Sequence, residues 1–148
     1  MNREILFRGK CFNTDEWVEG YLGIEVPDEL VIQQFSFDEY FKSDCIDQYS
    51  VKPETIGQYT GLTDKNNVRI FEGDIIFAKH PGQKNAVPCL VGYGVYKDED
   101  SFDDCRYLGF YLKAFGKCCS ILTPLSDRIK YEVVGNIYDN PELMEATK

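Results

Sequence analysis

Short runs of β-branched and aromatic residues, each closed by a polar turn, recur along this chain from its first residues to Val134. Runs of this kind between clusters of Gly, Pro, Asn and Asp read as strands. Roughly eight to ten of them are expected, joined by polar turns. The chain has 148 residues, enough for one domain with a real core. Hydrophobic residues make up 43%, with 10 Tyr and 10 Phe, which excludes a disordered chain and favours flat rings packed on pleated sheets.

The N-terminus reads as a hairpin. "REILFRG" is a short strand with Ile5 and Phe7 on one face, and "KCFNTDEWVEGYLGIEV" turns at Asn13–Asp15 and returns. Trp17 is expected to cover one end of the core. Residues 27 to 47 allow two readings. Asp28 can cap a short helix, or "LVIQQFSF" can be a strand with Leu30, Ile32 and Gln34 on one side. "FDEYF" reads as packing against the hairpin, or alternatively as a partner-binding loop. Tyr49 and Val51 restore alternation, and Pro53 breaks the ladder because it has no N–H to donate.

The most informative stretch is "GQYTGLTDKNNVRIFEGDIIFA", from Gly57 to Ala78. "TDKNNVRIF" predicts a hairpin in which Asp64 accepts bonds from the turn's own backbone. Lys65 and Asn66 are its central residues, and Asn67 takes the left-handed position that closes the bulge. Gly73 lets the chain turn sharply between Phe71 and Ile75, and the apolar "IIF" predicts a central strand. Glu72 and Asp74 resemble a catalytic carboxylate pair, but no nucleophile, metal ligand or activating base lies near them in sequence. They read instead as solvated turn residues bonding local N–H groups.

That same stretch resembles the signature of the YopX-like family of phage and prophage proteins. Members show a Tyr-Thr-Gly start, an Asp-Lys-Asn-Gly turn and Glu-Gly-Asp before an apolar strand. "LFRGKCFNTDEWVEG" is similar to the family's N-terminal hairpin and "YEVVGNIYDNPELM" to its C-terminal end. Asn67 stands where glycine is common, and both residues permit the turn. The resemblance implies a mainly β fold, a phage or prophage origin and, for some members, oligomers; it implies no biochemical activity. Gly61, Asp64, Glu72, Gly73, Asp74, Gly135 and Asn136 match the motif and are read as fold-setting, and no catalytic residue is carried over.

Beyond the signature, "KHPGQKNAVP" is a loop holding the only histidine, His80, so a His-based dyad is excluded. In "CLVGYGVYKDED", Gly92 and Gly94 are expected to bend a strand. The acidic stretch from Lys97 to Cys105 lacks the central Gly and distal Glu of an EF-hand loop, leaving a solvated hairpin tip or an irregular cation site. "RYLGFYLKAFGK" returns as a strand, and "CCSILTPLSD" is one more short strand ended by Pro124. The last strand runs through Val134 and reverses at Gly135–Asn136. Asn140, Pro141 and Glu142 then start a short helical turn.

The expected fold class is all-β: a small SH3-like barrel or sandwich core formed around Gly73 to Leu112, with the N-terminal hairpin and the C-terminal strand packed on it. The expected organisation is a single domain over 1–148. It comprises the hairpin (1–26), a variable insert (27–55), the barrel core (56–140) and a short helical tail (141–148).

Charge and cysteine content narrow the function. Sixteen basic residues against 25 acidic ones give a net charge of −9, which repels a phosphate backbone, and the basic residues are scattered singly. Nucleic acid is therefore not expected as a partner. Six cysteines, far apart except for one adjacent pair and with no Cys-x-x-Cys, predict neither a disulfide scaffold nor a zinc knuckle. The lack of a signal-peptide pattern or a bilayer-length apolar run points to the cytosol, with reduced thiols, and the resemblance implies that the cell is a bacterial host. Cys118–Cys119 is an alternative redox pair, weakened because neighbours on a strand face opposite ways.

No cofactor is expected. Two function classes follow. One is a non-catalytic binding or assembly module that pairs with itself or with a host or phage protein. The alternative is an acidic inhibitor or mimic engaging a host nucleic-acid-handling protein. An enzyme comes third, since only a spatially assembled carboxylate site would support one.

Overall fold

Eleven strands and one short helix form the described part of the chain, which in this computed structural model is residues 4–25, 28–79, 81–82, 84–97, 106–115 and 122–145. The molecule is mainly β, with two antiparallel sheets, and its strands fall into two compact units, residues 1–59 and 60–148.

In the first unit β1 (Phe7–Lys10), β2 (Trp17–Glu25), β3 (Glu29–Asp38) and β4 (Ser43–Ser50) lie in the order β4-β3-β2-β1, with the start of β5 (Gly57–Thr63) beside β1. The N-terminal hairpin forms as expected, closed by the Cys11 N–H on the Glu16 carbonyl at 2.9 Å. Asp15, in a left-handed conformation at φ 58, is held by the ammonium groups of Lys10 and Lys52. Ile5 is exposed, Phe7 is half-buried, and Leu6 is the residue turned to the interior. Trp17 is half-buried, with the Arg8 guanidinium 4.7 Å above its ring.

Residues 29–38 and 43–50 are strands joined by a turn, with no helix between them. Asp28 caps nothing; the capping chemistry sits at Asp38, whose Oδ1 accepts the N–H groups of Tyr40 at 2.8 Å and Phe41 at 2.9 Å. This Asx turn, with Lys42 at φ 52, folds β3 back on β4. Val31 and Ile32 are both fully buried, so this end of β3 packs on both faces. The "FDEYF" tip does not pack on the N-terminal hairpin: Tyr40 is 89% exposed and touches the Phe41 ring edge-on at 5.0 Å. The ladder ends at an isolated Cys11–Val51 bridge, and Pro53 opens a 3-10 turn through Thr55.

In the second unit β5 continues beyond Tyr59 with β6 (Arg69–Phe71) beside it. A five-stranded sheet follows in the order β10-β9-β8-β7-β11. It is built from β7 (Asp74–Lys79), β8 (Val87–Lys97), β9 (Arg106–Ala114), β10 (Leu122–Pro124) and β11 (Lys130–Asn136). As the "IIF" run predicts, β7 is central, paired with β8 on one side and β11 on the other. Ile70, Ile76, Ala78, Cys89, Val91, Leu112 and Tyr131 make the core cluster. Each large aliphatic removed from water there contributes about 1.5–3 kcal/mol.

β8 runs continuously from Val87 to Lys97 through both Gly92 and Gly94, and a Cβ on Gly92 would lie 2.6 Å from the Tyr111 ring. Close packing of that ring is the reason for glycine. The final strand does not reverse at Gly135–Asn136. A bulge between Val133 and Gly135 absorbs one residue, Asn136 still pairs with Asp74, and the chain turns only afterwards, into α1 (Glu142–Glu145). His80, most of the acidic stretch (98–105) and the Cys118–Cys119 pair lie outside the described residues.

Candidate functional site

The signature hairpin is assembled by one carboxylate. Asp64 Oδ1 accepts the N–H groups of Asn66 at 2.7 Å and Val68 at 3.0 Å, and Asn67 takes the left-handed position at φ 63. The local turn is as read from the residues. A further bond is not: Oδ2 accepts the Val133 N–H at 3.1 Å, from β11. Burial by itself would raise the Asp64 carboxyl. The N–H groups of Val68, Val133 and Asn66 outweigh it and hold the group below the ordinary carboxylate value. Lys65 completes the attachment, its N–H on the Tyr131 carbonyl at 3.1 Å and its ammonium 2.7 Å from Glu132.

The acid-glycine-acid step is also structural, but Asp74 is not the solvated residue expected. It is 1% exposed, and its Oδ2 accepts the Phe71 N–H at 2.8 Å across the tight turn. Gly73 sits at φ 84, where a side chain is strained, and its N–H and C=O bond Val91 and Ile137. Glu72 is half-buried beside it. Gly61 also has a positive φ of 88 and is exposed. At the other end of the motif, Asn136 Oδ1 accepts the N–H groups of Tyr138 and Asp139, each at 3.0 Å. A Cβ on Gly135 would collide with the Asn140 side chain, whose Oδ1 faces the Asn136 N–H at 3.4 Å. Asp64, Gly73, Asp74, Gly135 and Asn136 thus make contacts at turns, a bulge and strand junctions of the second unit.

No catalytic constellation emerges among the described residues. No group of three His, Cys, Asp or Glu side chains is placed to hold a metal. Cys11 and Cys89 are buried free thiols, and burial pushes the Cys89 thiol up to about 11, far from a nucleophile at neutral pH. Asp64 and Asp74 line neither of two surface pockets. One, of about 260 Å³, is bounded by Gly61, Leu62, Thr63, Asp127, Ile129 and Tyr131. The other, of about 440 Å³, is bounded by Phe35, Ser36, Phe37, Asp44 and Ile46.

The second pocket belongs to a surface that the sequence reading did not identify. Strand register puts Tyr21, Phe35, Phe37 and Ile46 on one face of the β2–β3–β4 ribbon, with Phe35 opposite Ile46 and Phe37 opposite Asp44. All four apolar residues are exposed, and the Tyr21 and Phe35 rings meet edge-on at 5.5 Å. The β8–β9 ribbon of the second unit has a comparable face. Its core pair Val91–Leu112 is followed outward by Tyr93–Phe110 and Val95–Leu108, with Val95 and Leu108 largely exposed. The available signal was their alternation, which is also what buried strands show.

Comparison with known proteins agrees with this architecture. The family model described as "YopX protein" matches residues 6–145. The crystal structure of protein EF1440 from Enterococcus faecalis is similar at 23% identity and a TM-score of 0.52, over 97% of this chain and 99% of that one. At that identity the likeness speaks for the fold alone. No curated protein matches the chain. No helix among the described residues is long and apolar enough to cross a membrane.

Proposed function

The chain belongs to the YopX protein family, and from that premise we propose that it acts by contact, as a non-catalytic protein-binding or assembly module. We place it in a phage or prophage setting inside a bacterial host. The observation that carries the reading is the exposed Tyr21, Phe35, Phe37 and Ile46 face. Contiguous apolar patches of several large side chains are uncommon on monomers and mark interaction sites. Aromatic anchors are what the centres of such interfaces use. Of the family-motif carboxylates, Asp64 and Asp74 are engaged with backbone N–H groups, which favours a structural role for them over an acid–base one. The mimic alternative gains no support from β4, where register alternates Asp44 and Asp47 between the two faces.

The test is the F35S/F37S double variant. Solution mass by light scattering and retention of host proteins on the immobilised chain are compared with wild type. The contact reading expects the variant to lose the assembly, the retained partner, or both. A variant that assembles and retains partners as wild type does would contradict it.

A further inference from the structure

Resting on that contact reading, we propose that the outer edge of β4 takes up an extended segment of another protein as an added strand. The segment alternates apolar residues with Lys or Arg. β4 is the last strand of its sheet, with β3 along its whole length on one side. At its base the other side is met by the N-terminal hairpin, where the Phe12 N–H donates to the Ser50 carbonyl at 3.0 Å. Beyond that point no strand among the described residues lies on this side.

Ladder geometry identifies the backbone groups left open. Successive residues of an antiparallel strand direct their N–H and C=O alternately to one side and the other. The Val51 N–H donates to the Leu30 carbonyl, on the β3 side, whereas Ser50 bonds Phe12 on the outer side. By that alternation Cys45, Asp47 and Tyr49 bond β3, and Asp44, Ile46 and Gln48 present N–H and C=O outward. Such an edge is a template for another strand, and chains guard it with shortness, Pro, Lys or a bulge. The other sheet edges are guarded in this way. β6 and β10 have three residues each, β10 with Pro124, and β11 carries its bulge. β4 runs eight residues in unbroken register with no Pro, Lys or Gly.

Charge selects the occupant. From Glu25 to Ser50 the sequence holds seven acids and one base, Lys42. A second copy pairing at β4 would bring the same acidic excess to the edge, which is unfavourable, whereas a basic segment meets complementary charge. The alternation follows from register. Every second side chain of an added strand falls beside Ile46, next to Phe35, and the intervening ones fall beside Asp47 on the opposite face. The pocket of about 440 Å³ bounded by Phe35, Phe37, Asp44 and Ile46 lies at this edge and seats an apolar side chain.

The experiment titrates the full chain with a capped synthetic peptide, Lys-Val-Lys-Phe-Lys-Val-Lys, by calorimetry. Two comparison peptides carry Glu in place of Lys, or the original side chains on an N-methylated backbone. The first peptide is expected to bind and the other two are not. Amide hydrogen exchange reads the edge itself. Binding is expected to slow exchange at Asp44, Ile46 and Gln48, and to leave Cys45 and Asp47, already bonded to β3, unchanged. Ile46→Pro removes one outward N–H and no β3–β4 bond. It is expected to bind about tenfold more weakly than Ile46→Val, the loss that one unmade backbone bond produces. Circular dichroism checks folding, and the N-methylated peptide decides the matter if the proline variant does not fold.

No binding, equal binding of the N-methylated peptide, or unchanged exchange at the three outward amides would overturn the strand addition. Wild-type self-assembly that Ile46→Pro abolishes, with no peptide bound, would give the edge to a second copy and also overturn it. The contact reading is judged separately: an F35S/F37S variant that loses an assembly or a retained partner keeps that reading even where the peptide does not bind.

Discussion

The Asp64 carboxylate joins the signature turn to the last strand, one oxygen on the Asn66 and Val68 N–H groups and the other on the Val133 N–H, 69 positions away. Removing it leaves three backbone donors of the second unit without their acceptor. We expect Asp64→Ala to lose about 3 kcal/mol of stability, read from urea unfolding midpoints. Asp64→Asn keeps one oxygen acceptor and should lose roughly half as much. Equal, near-zero losses for both would contradict this role.

The same bonds set a pH dependence. The folded carboxyl lies below the ordinary aspartate value, so the unfolded chain binds the proton more readily. Its stabilisation is therefore complete above the unfolded value of about 3.9. It declines as pH falls further and is gone below the folded value. Acid unfolding of Asp64→Asn should show a shallower decline than wild type in that range. An identical decline would remove Asp64 from the account.

How much of this was legible depended on sequence distance. Asn66, Asn67 and Val68 lie beside Asp64, and side-chain bonds to nearby backbone follow residue type, so the turn could be read directly. The Val133 bond depends on which strands become neighbours, and no local pattern encodes that. Asp74 misled because turn acids are usually solvated, whereas here the turn itself is packed inside. Leu30, Val31 and Ile32 are three consecutive apolar residues, which fit a helix start as well as a strand. The capping signal that decided for a strand was at Asp38, not Asp28.

Gly73 tests the tight turn. A side chain at φ 84 costs about 1–2 kcal/mol. A Cβ there would also meet the Tyr138 ring at 3.3 Å. Gly73→Ala should lower the melting temperature by several degrees while leaving the far-ultraviolet spectrum β-rich. A variant as stable as wild type would mean the turn relaxes freely.

Thiol chemistry separates the described cysteines. Cys89 is buried, with its thiol pushed up to about 11, whereas Cys45 is partly open to solvent. Iodoacetamide at pH 8, followed by peptide mass mapping, should label Cys45 well before Cys89. Faster labelling of Cys89 would show that the second-unit core opens readily.

The central claim is that the Tyr21, Phe35, Phe37 and Ile46 face is a contact surface. Hydroxyl-radical footprinting of these side chains, compared between dilute and concentrated or partner-bound protein, tests it most directly. Exposed Val68, which lies on neither apolar face, serves as the reference. The account predicts that Phe35, Phe37 and Ile46 become protected while Val68 does not. Unchanged reactivity of all three, in a state whose mass shows that a contact has formed, would place the working surface elsewhere.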